Sequence, residues 1–247
     1  DEHACRIDDV EELRCGRKSM MFSRRKGMMS SVRKNAWLTA SRISTCFILV
    51  SATLLFTGCE EDADVRADVR DYDEAALLEA RGEKDNAFRS SGDSPIPADK
   101  RSSFTGLRFY EPSAEYFVNA SVAWHTPADT VVIGTTMGGD ERKALRVATL
   151  SFSLNGHSSN LTAFKFINTP AEYEDILFVP FRDATNGYAT YEAGRYLDIP
   201  IVMGDDSVAI DFNTAYHPFC LYNSAYSCPL PPPENNLRYK VEAGEKK

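Results

Sequence analysis

His217, Cys220 and Cys228 are the residues whose types and spacing point most directly to chemistry. Two thiolates and an imidazole can hold a cation such as zinc, with His217-Pro218-Phe219-Cys220 supplying two ligands and Cys228 a third. A structural zinc site, however, wants four ligands, usually in close pairs, and the chain has no Cys-x-x-Cys. The competing chemistry is oxidation of the two thiols to a disulfide. They lie in a segment rich in turn formers (Asn223, Ser224, Ser227) that can bring them together. A Cys220–Cys228 disulfide, with no metal, is the expectation.

A second polar set comprises Arg182, Asp183, Thr185, Tyr191, Arg195, Asp211 and Asn213. Asp211 and Asn213 are two apart at the end of an apolar strand, so their side chains share the face opposite Ile210 and Phe212. Two arginines and an aspartate at strand ends can bind an anionic small molecule through bidentate hydrogen bonds. On this reading Arg182, Tyr191, Arg195, Asp211 and Asn213 are the ligand-binding candidates. The other reading is structural: Arg195 pairs with Asp211, Asn213 bonds the backbone of the next turn, and Asp183 and Thr185 shape the turn at Asn186-Gly187.

Catalytic signatures are missing from the sequence. It contains no Gly-x-Ser-x-Gly, no His-Glu-x-x-His and no phosphate-binding Gly-x-x-x-x-Gly-Lys. Gly138-Gly139 has no following helix pattern, and His125 and His157 read as surface histidines. No catalytic residue and no cofactor is therefore expected. An enzyme of unrecognised type, centred on Arg182, Arg195 and Asp211, stands as the alternative.

Cys59 carries a different chemistry. Position 1 is Asp, and the mixed-charge stretch Asp1–Lys18 has no apolar period, so translation is expected to start at Met20, Met21, Met28 or Met29. Arg33, Lys34 and Arg42 then flank the apolar run Cys46–Phe56. That run is shorter than the ~20 residues a spanning helix needs and suits the hydrophobic region of a signal peptide. It ends in Leu55-Phe56-Thr57-Gly58-Cys59, which resembles the lipobox of bacterial lipoproteins, with Phe56 at the place usually held by Leu. The resemblance implies a diacylglyceryl group on the Cys59 sulfur and cleavage before it, giving a stable membrane anchor. The alternative is an ordinary secretory signal.

Charge is asymmetric along the chain. Residues 1–58 hold 10 Lys/Arg against 6 Asp/Glu of the chain's 28 and 36, so the remainder carries 18 against 30, a net of −12. Such a body repels phosphate backbones, and no nucleic-acid partner is expected. The expected partners are the membrane, through the anchor, and a small molecule or another envelope protein. The expected location is the cell envelope, on its periplasmic face or at the cell surface.

The elements that must position these residues follow from periodicity. Glu60-Glu61-Asp62-Ala63-Asp64 reads as a solvated tether, and a short helix is expected at about 68–89, with Val69, Tyr72, Leu77 and Phe88 as its apolar stripe. Period-two alternation marks strands at Tyr116–Trp124, Thr130–Thr135, Arg146–Leu154, Leu161–Ile167, Ile176–Phe181, Tyr196–Val202 and Ser207–Phe212. Asn155-Gly156 signals a hairpin, and Gly204-Asp205-Asp206 is expected to make the last two strands antiparallel neighbours. Pro229–Pro233 cannot enter a sheet and should lie across the domain, leading to an edge strand near Leu237–Val241. The expected fold is all-β, a mostly antiparallel barrel or sandwich with one short N-terminal helix and a Pro-rich C-terminal arm. The expected organisation is a leader over 1–58, a tether over 59–68 and one β domain over 69–247.

A family resemblance comes from Ile176 onward. The string Phe178-Val179-Pro180-Phe181-Arg182-Asp183-Ala184-Thr185-Asn186-Gly187 is followed by Thr190-Tyr191, Gly194-Arg195-Tyr196-Leu197 and Asp211-Phe212-Asn213. Ala215-Tyr216, Ser227-Cys228-Pro229-Leu230-Pro231, Pro233-Glu234-Asn235 and Ala243-Gly244-Glu245 continue it. With Ser94-Pro95 and Phe104-Thr105-Gly106-Leu107, about residues 75–247 resemble the bacterial family called domain of unknown function 1684. The resemblance implies no activity. Its longer members carry an extra β module resembling a forkhead-associated domain, which nothing here matches. His217 stands where relatives more often have Asn, which argues against an essential His217.

Overall fold

The structure, a computed structural model, describes residues 71–167, 169 and 173–247. The expected leader, Cys59 and the tether at 59–68 lie outside the described residues. Helix α1 spans Glu74–Ser90. Asp73 caps its first turn, accepting the Ala76 N–H at 3.0 Å, so the helix begins at Glu74 and not at the expected 68. Leu77 and Phe88 bury the expected stripe, but Lys84 is buried beside them.

Eight strands follow: β1 Arg108–Phe109, β2 Phe117–Gly134, β3 Glu141–Leu154, β4 His157–Phe166, β5 Ile176–Phe181, β6 Arg195–Pro200, β7 Ser207–Asp211 and β8 Glu245–Lys246. Six form one antiparallel sheet in the order β6-β5-β4-β3-β2-β7, and β1 pairs with β8. The two edges of the large sheet nearly meet. Just beyond β7, Tyr216 and Tyr196 of β6 exchange backbone hydrogen bonds at 2.9 and 3.0 Å. The result is a mostly antiparallel, near-closed barrel-like sheet with a single α-helix among the described residues. Its interior is filled by alternate residues such as Ala120, Leu150, Leu161, Leu177, Leu197, Ile210 and Phe212. A second apolar cluster lies against α1, where the Phe88 ring meets Phe219 and Tyr222 edge-on.

Three expectations need correction. The strands expected at Tyr116–Trp124 and Thr130–Thr135 are one strand, β2, whose register on β3 shifts between Trp124 and Asp129. Pro127 has no N–H to give the ladder, so pairing breaks there and resumes. Second, β6 and β7 are not neighbours: β6 pairs with β5 and β7 with β2, at opposite edges of the sheet. The intervening loop is held against β2, where the Trp124 indole donates to Asp205 O at 2.7 Å and Val122 N to Asp206 O at 2.8 Å.

Third, no strand forms at Leu237–Val241; the C-terminal strand is β8, two residues long. Side chains replace the ladder in this arm. β4 and β5 pair only at Phe164–Phe178, and the buried Asn235 side chain fills the gap beside that pair. Its Oδ1 accepts the Thr162 N–H at 2.7 Å, and its Nδ2 donates to Thr162 O and Pro180 O, both at 2.8 Å. Three backbone groups that the interrupted ladder leaves without a strand partner are thereby satisfied.

Candidate functional site

The polar set divides by edge. At the end of β5, Arg182 points outward, and its guanidinium forms no ion pair among the described residues. Its neighbour Asp183 points inward and is buried. Asp183 Oδ1 accepts the Thr185 N–H at 2.6 Å, and Asn186 Oδ1 accepts the Asp183 N–H at 2.7 Å. These bonds close the turn on itself, as the structural reading has it.

Arg195, which opens β6, is fully buried, and its partner is Asp183, not Asp211. Nη2 donates to Asp183 Oδ2 at 2.6 Å and to Val241 O at 2.7 Å. Nη1 donates to the carbonyls of Ala243 and Glu245, the latter at 3.3 Å. The expected Arg195–Asp211 pair does not form: β6 pairs with β5 and not with β7, and Arg195 turns to Asp183 and the C-terminal arm while Asp211 turns to Asn213. Asp211 instead accepts the N–H and the side-chain amide of Asn213 at 2.9 and 2.8 Å, capping a single 3-10 turn. Burial pushes its carboxyl up, opposed by those Asn213 bonds and by Arg81. Asn213 clamps Ser113, accepting its N–H at 3.1 Å and donating to its carbonyl at 2.8 Å.

A second charged centre joins α1 to β8, and its leading members, Lys84 and Glu245, are not among the sequence candidates. Lys84 Nζ lies 2.6 Å from Glu245 Oε1 and 4.6 Å from the centre of the Tyr216 ring. Glu245 Oε2 accepts the His217 backbone N–H at 2.7 Å and the Tyr222 hydroxyl at 3.3 Å. Burial would raise this carboxyl, yet Lys84 and His217 hold it below the ordinary range. Tyr222 moves well up, through burial and then the Glu245 charge. His217 is buried, with Nε2 accepting the Tyr191 N–H at 3.2 Å and Nδ1 lying 3.5 Å from Glu245 Oε2. Desolvation drives its imidazole down to about 4, against the pull of Glu245.

Local backbone demands fix the surroundings. At Gly244 φ is +74°, and a Cβ there would lie 2.4 Å from Ala215 O. Gly194 has φ +109° and would put a Cβ 2.6 Å from Pro231 Cγ. The glycines of Gly194-Arg195 and Gly244-Glu245 thus let the arm lie flat against the sheet, within reach of the two buried charges. The signal that could have exposed Glu245 and Asn235 is their place in the C-terminal strings Ala243-Gly244-Glu245 and Pro233-Glu234-Asn235.

His217 does not face the cysteines as a metal reading requires, since its two nitrogens are turned to Tyr191 and Glu245. Among the described residues no group of three His, Cys, Asp or Glu side chains is placed to hold a metal ion. Cys220 and Cys228 lie side by side as thiols, the Cys220 N–H donating to Cys228 Sγ at 3.2 Å. Tyr191, the fifth ligand-binding candidate, has its hydroxyl 3.8 Å from Cys220 Sγ, away from Asp211 and Asn213 at the β7 edge.

Fold and site together define a near-closed antiparallel β domain whose buried charges hold its own C-terminal arm. Residues 102–246 match the model of the family described as protein of unknown function (DUF1684), and the chain belongs to that family. It is similar to an uncharacterised protein of Haloarcula marismortui whose structure was solved by NMR, at 40% identity, covering 70% of this chain and 94% of that one with a TM-score of 0.57. No curated protein matches it significantly.

Proposed function

We propose that this chain is a lipid-anchored protein of the bacterial cell envelope, on the periplasmic face or the cell surface, whose β domain binds a ligand or partner and whose buried charged residues form no catalytic centre. The observation that carries the binding reading is the commitment of the charged centre to the chain itself: Arg195 and Glu245 are buried and bonded to the arm, to α1 and to Asp183. Groups so fully engaged have no room for a substrate, and Asp211 is bonded to Asn213 and not to Arg195. What remains for an anionic small molecule or an acidic patch on an envelope partner is Arg182, exposed beside the arm. The anchor reading is supported by Thr57-Gly58-Cys59 at the end of the apolar run and by the acidic stretch that follows.

Each half has its test. With its native leader in a bacterium, the parent should partition into detergent and carry acyl mass on Cys59, whereas Cys59→Ser should move to the soluble fraction or stay uncut. Identical partitioning and cleavage of the two would sink the anchor. Arg182→Ala should change stability by less than about 0.5 kcal/mol, as exposed substitutions do, while cancelling any rise in melting temperature that an anionic envelope metabolite gives the parent. A stabilising anion whose effect survives in Arg182→Ala would remove this residue from the binding role.

A further inference from the structure

Cys220 and Cys228 differ in a way that a purely structural cross-link does not require. Cys220 sits on a single 3-10 turn, Phe219–Leu221, and is half-buried. Cys228 is 4% exposed and its backbone is fixed on both sides by Thr136: its N–H donates to Thr136 Oγ1 at 3.1 Å, and its carbonyl accepts the Thr136 N–H at 2.9 Å. One thiol is thus on a short, accessible turn, and the other is held rigidly behind it. Polar groups stand beside the accessible sulfur, whose thiol donates toward the Tyr191 hydroxyl. The Cys228 thiol pulls the Cys220 thiol down to about 7 against the effect of burial, aided by the Thr136 hydroxyl and the Tyr191 hydroxyl 3.8 Å away. Tyr191 itself is raised, by burial and by the neighbouring Cys220 charge, so it stays a protonated donor. Glu192, whose charge acts on Tyr191, is paired with Lys247 at 3.0 Å.

We propose that Cys220 and Cys228 are a redox-active dithiol that reduces small-molecule disulfides, with Cys220 as the attacking sulfur and Cys228 as the resolving one. The inference is independent of the anchor and of Arg182. In the first step the Cys220 thiolate attacks one sulfur of R–S–S–R; the S–S bond breaks, a mixed disulfide forms on Cys220, and RS⁻ leaves and takes a proton from solvent. In the second, Cys228 loses its proton to solvent and attacks the Cys220 sulfur, releasing the second RS⁻, which is protonated in turn. Two electrons pass from the cysteine pair to the small disulfide, leaving a Cys220–Cys228 bond and two thiols. A thiol that titrates near ambient pH is well matched to this attack, because it combines thiolate population with nucleophilicity. Burial keeps Cys228 from competing for the substrate, and the 3.2 Å approach of its sulfur to the Cys220 N–H places it for resolution.

The full chain, reduced and then exposed to oxidised glutathione, tests the assignment, with residue-resolved mass spectrometry separating this pair from Cys5, Cys15, Cys46 and Cys59. The parent should yield a Cys220–Cys228 linked peptide with two reduced glutathiones released per pair, and excess reduced glutathione should reopen it. Cys228→Ser, and Cys228→Ala as its check, should stop at one glutathione on Cys220. Cys220→Ser should leave Cys228 unmodified over the same time. Iodoacetamide labelling of Cys220 in the parent should rise with a midpoint near pH 7. The proposal is overturned if glutathione arrives at Cys228, if a mixed disulfide persists in the parent, or if the linked pair resists excess reduced glutathione as a purely structural disulfide would. Because the parent alone gives three of these readings, a misfolded variant does not decide the outcome.

Discussion

Replacing Arg195 by Ala is expected to cost about 3–5 kcal/mol, because it strands the buried Asp183 carboxylate that Arg195 neutralises. For a domain of this size that corresponds to a drop in melting temperature of roughly 6–20 °C. The guanidinium also satisfies the carbonyls of Val241, Ala243 and Glu245, which lose their donor with it. Asp211→Ala, by contrast, should cost only about 1 kcal/mol, the usual worth of a lost cap, since Asp211 is bonded to Asn213 and no arginine hydrogen-bonds it, although the Arg81 charge acts on it. Asp183→Ala should be severe, and the Arg195→Ala/Asp183→Ala double variant should lose less than the two single losses combined. Urea denaturation of the parent and the four variants decides the matter. Equal losses for Arg195→Ala and Asp211→Ala would mean that the 2.6 Å pair with Asp183 is not what holds the arm.

The sequence shows Arg195 as important and misassigns its partner, and the reason is physical. Alternation reveals which face of a strand is apolar, so Val118, Ala120, Val122 and Trp124 are legible as the inner face of β2, and the Asn155-Gly156 hairpin is legible from its turn chemistry, both residues having positive φ. Alternation does not say which strand lies beside which. β7 pairs with β2 because Trp124 and Val122 hold the loop before it, and neither bond has a periodic trace in the sequence. With β6 on β5 and β7 on β2, Asp211 turns to Asn213, and Asp183, already visible as a turn former, is the counter-ion.

The C-terminal arm was legible only as something that cannot be a sheet. Its proline run predicts a segment lying across the domain, and Leu230 N does bond Gly134 O at 2.7 Å at the end of β2. Missing from any periodic reading is the work of its single polar residues. Asn235 stands in for a ladder between β4 and β5, and Glu245 receives a lysine from a helix far earlier in the chain. Lys84 sits in a helix with a weak apolar stripe, where a lysine reads as solvent-facing. Contacts of this kind become visible only when the topology is known.

His217 gives the domain a stability that should fade in mild acid. In the unfolded chain the imidazole titrates at about 6.5, whereas in the fold it is driven down to about 4, chiefly by desolvation. Between those values the unfolded chain binds the proton and the folded one does not, so stability rises with pH across the window. The contribution is fully present above about pH 6.5 and is lost as pH falls toward 4, to the extent of roughly 3 kcal/mol. The geometry supplies the cause, because Nε2 accepts the Tyr191 N–H, and a proton there would set two donors against each other. Glu245, held below its ordinary range, adds a loss of the same sign but in a lower window, as pH falls below its unfolded value and through its folded one. Asp211, pushed up, acts in the opposite sense, its strain being relieved by protonation. Comparison with His217→Asn separates these contributions, since an amide does not titrate and the carboxylates remain. Denaturant midpoints of the parent should fall between pH 6.5 and 4.5, while those of His217→Asn should fall much less. Parallel curves for the two proteins would show that His217 is not the neutral, buried imidazole on which the Tyr191–Glu245 connection depends.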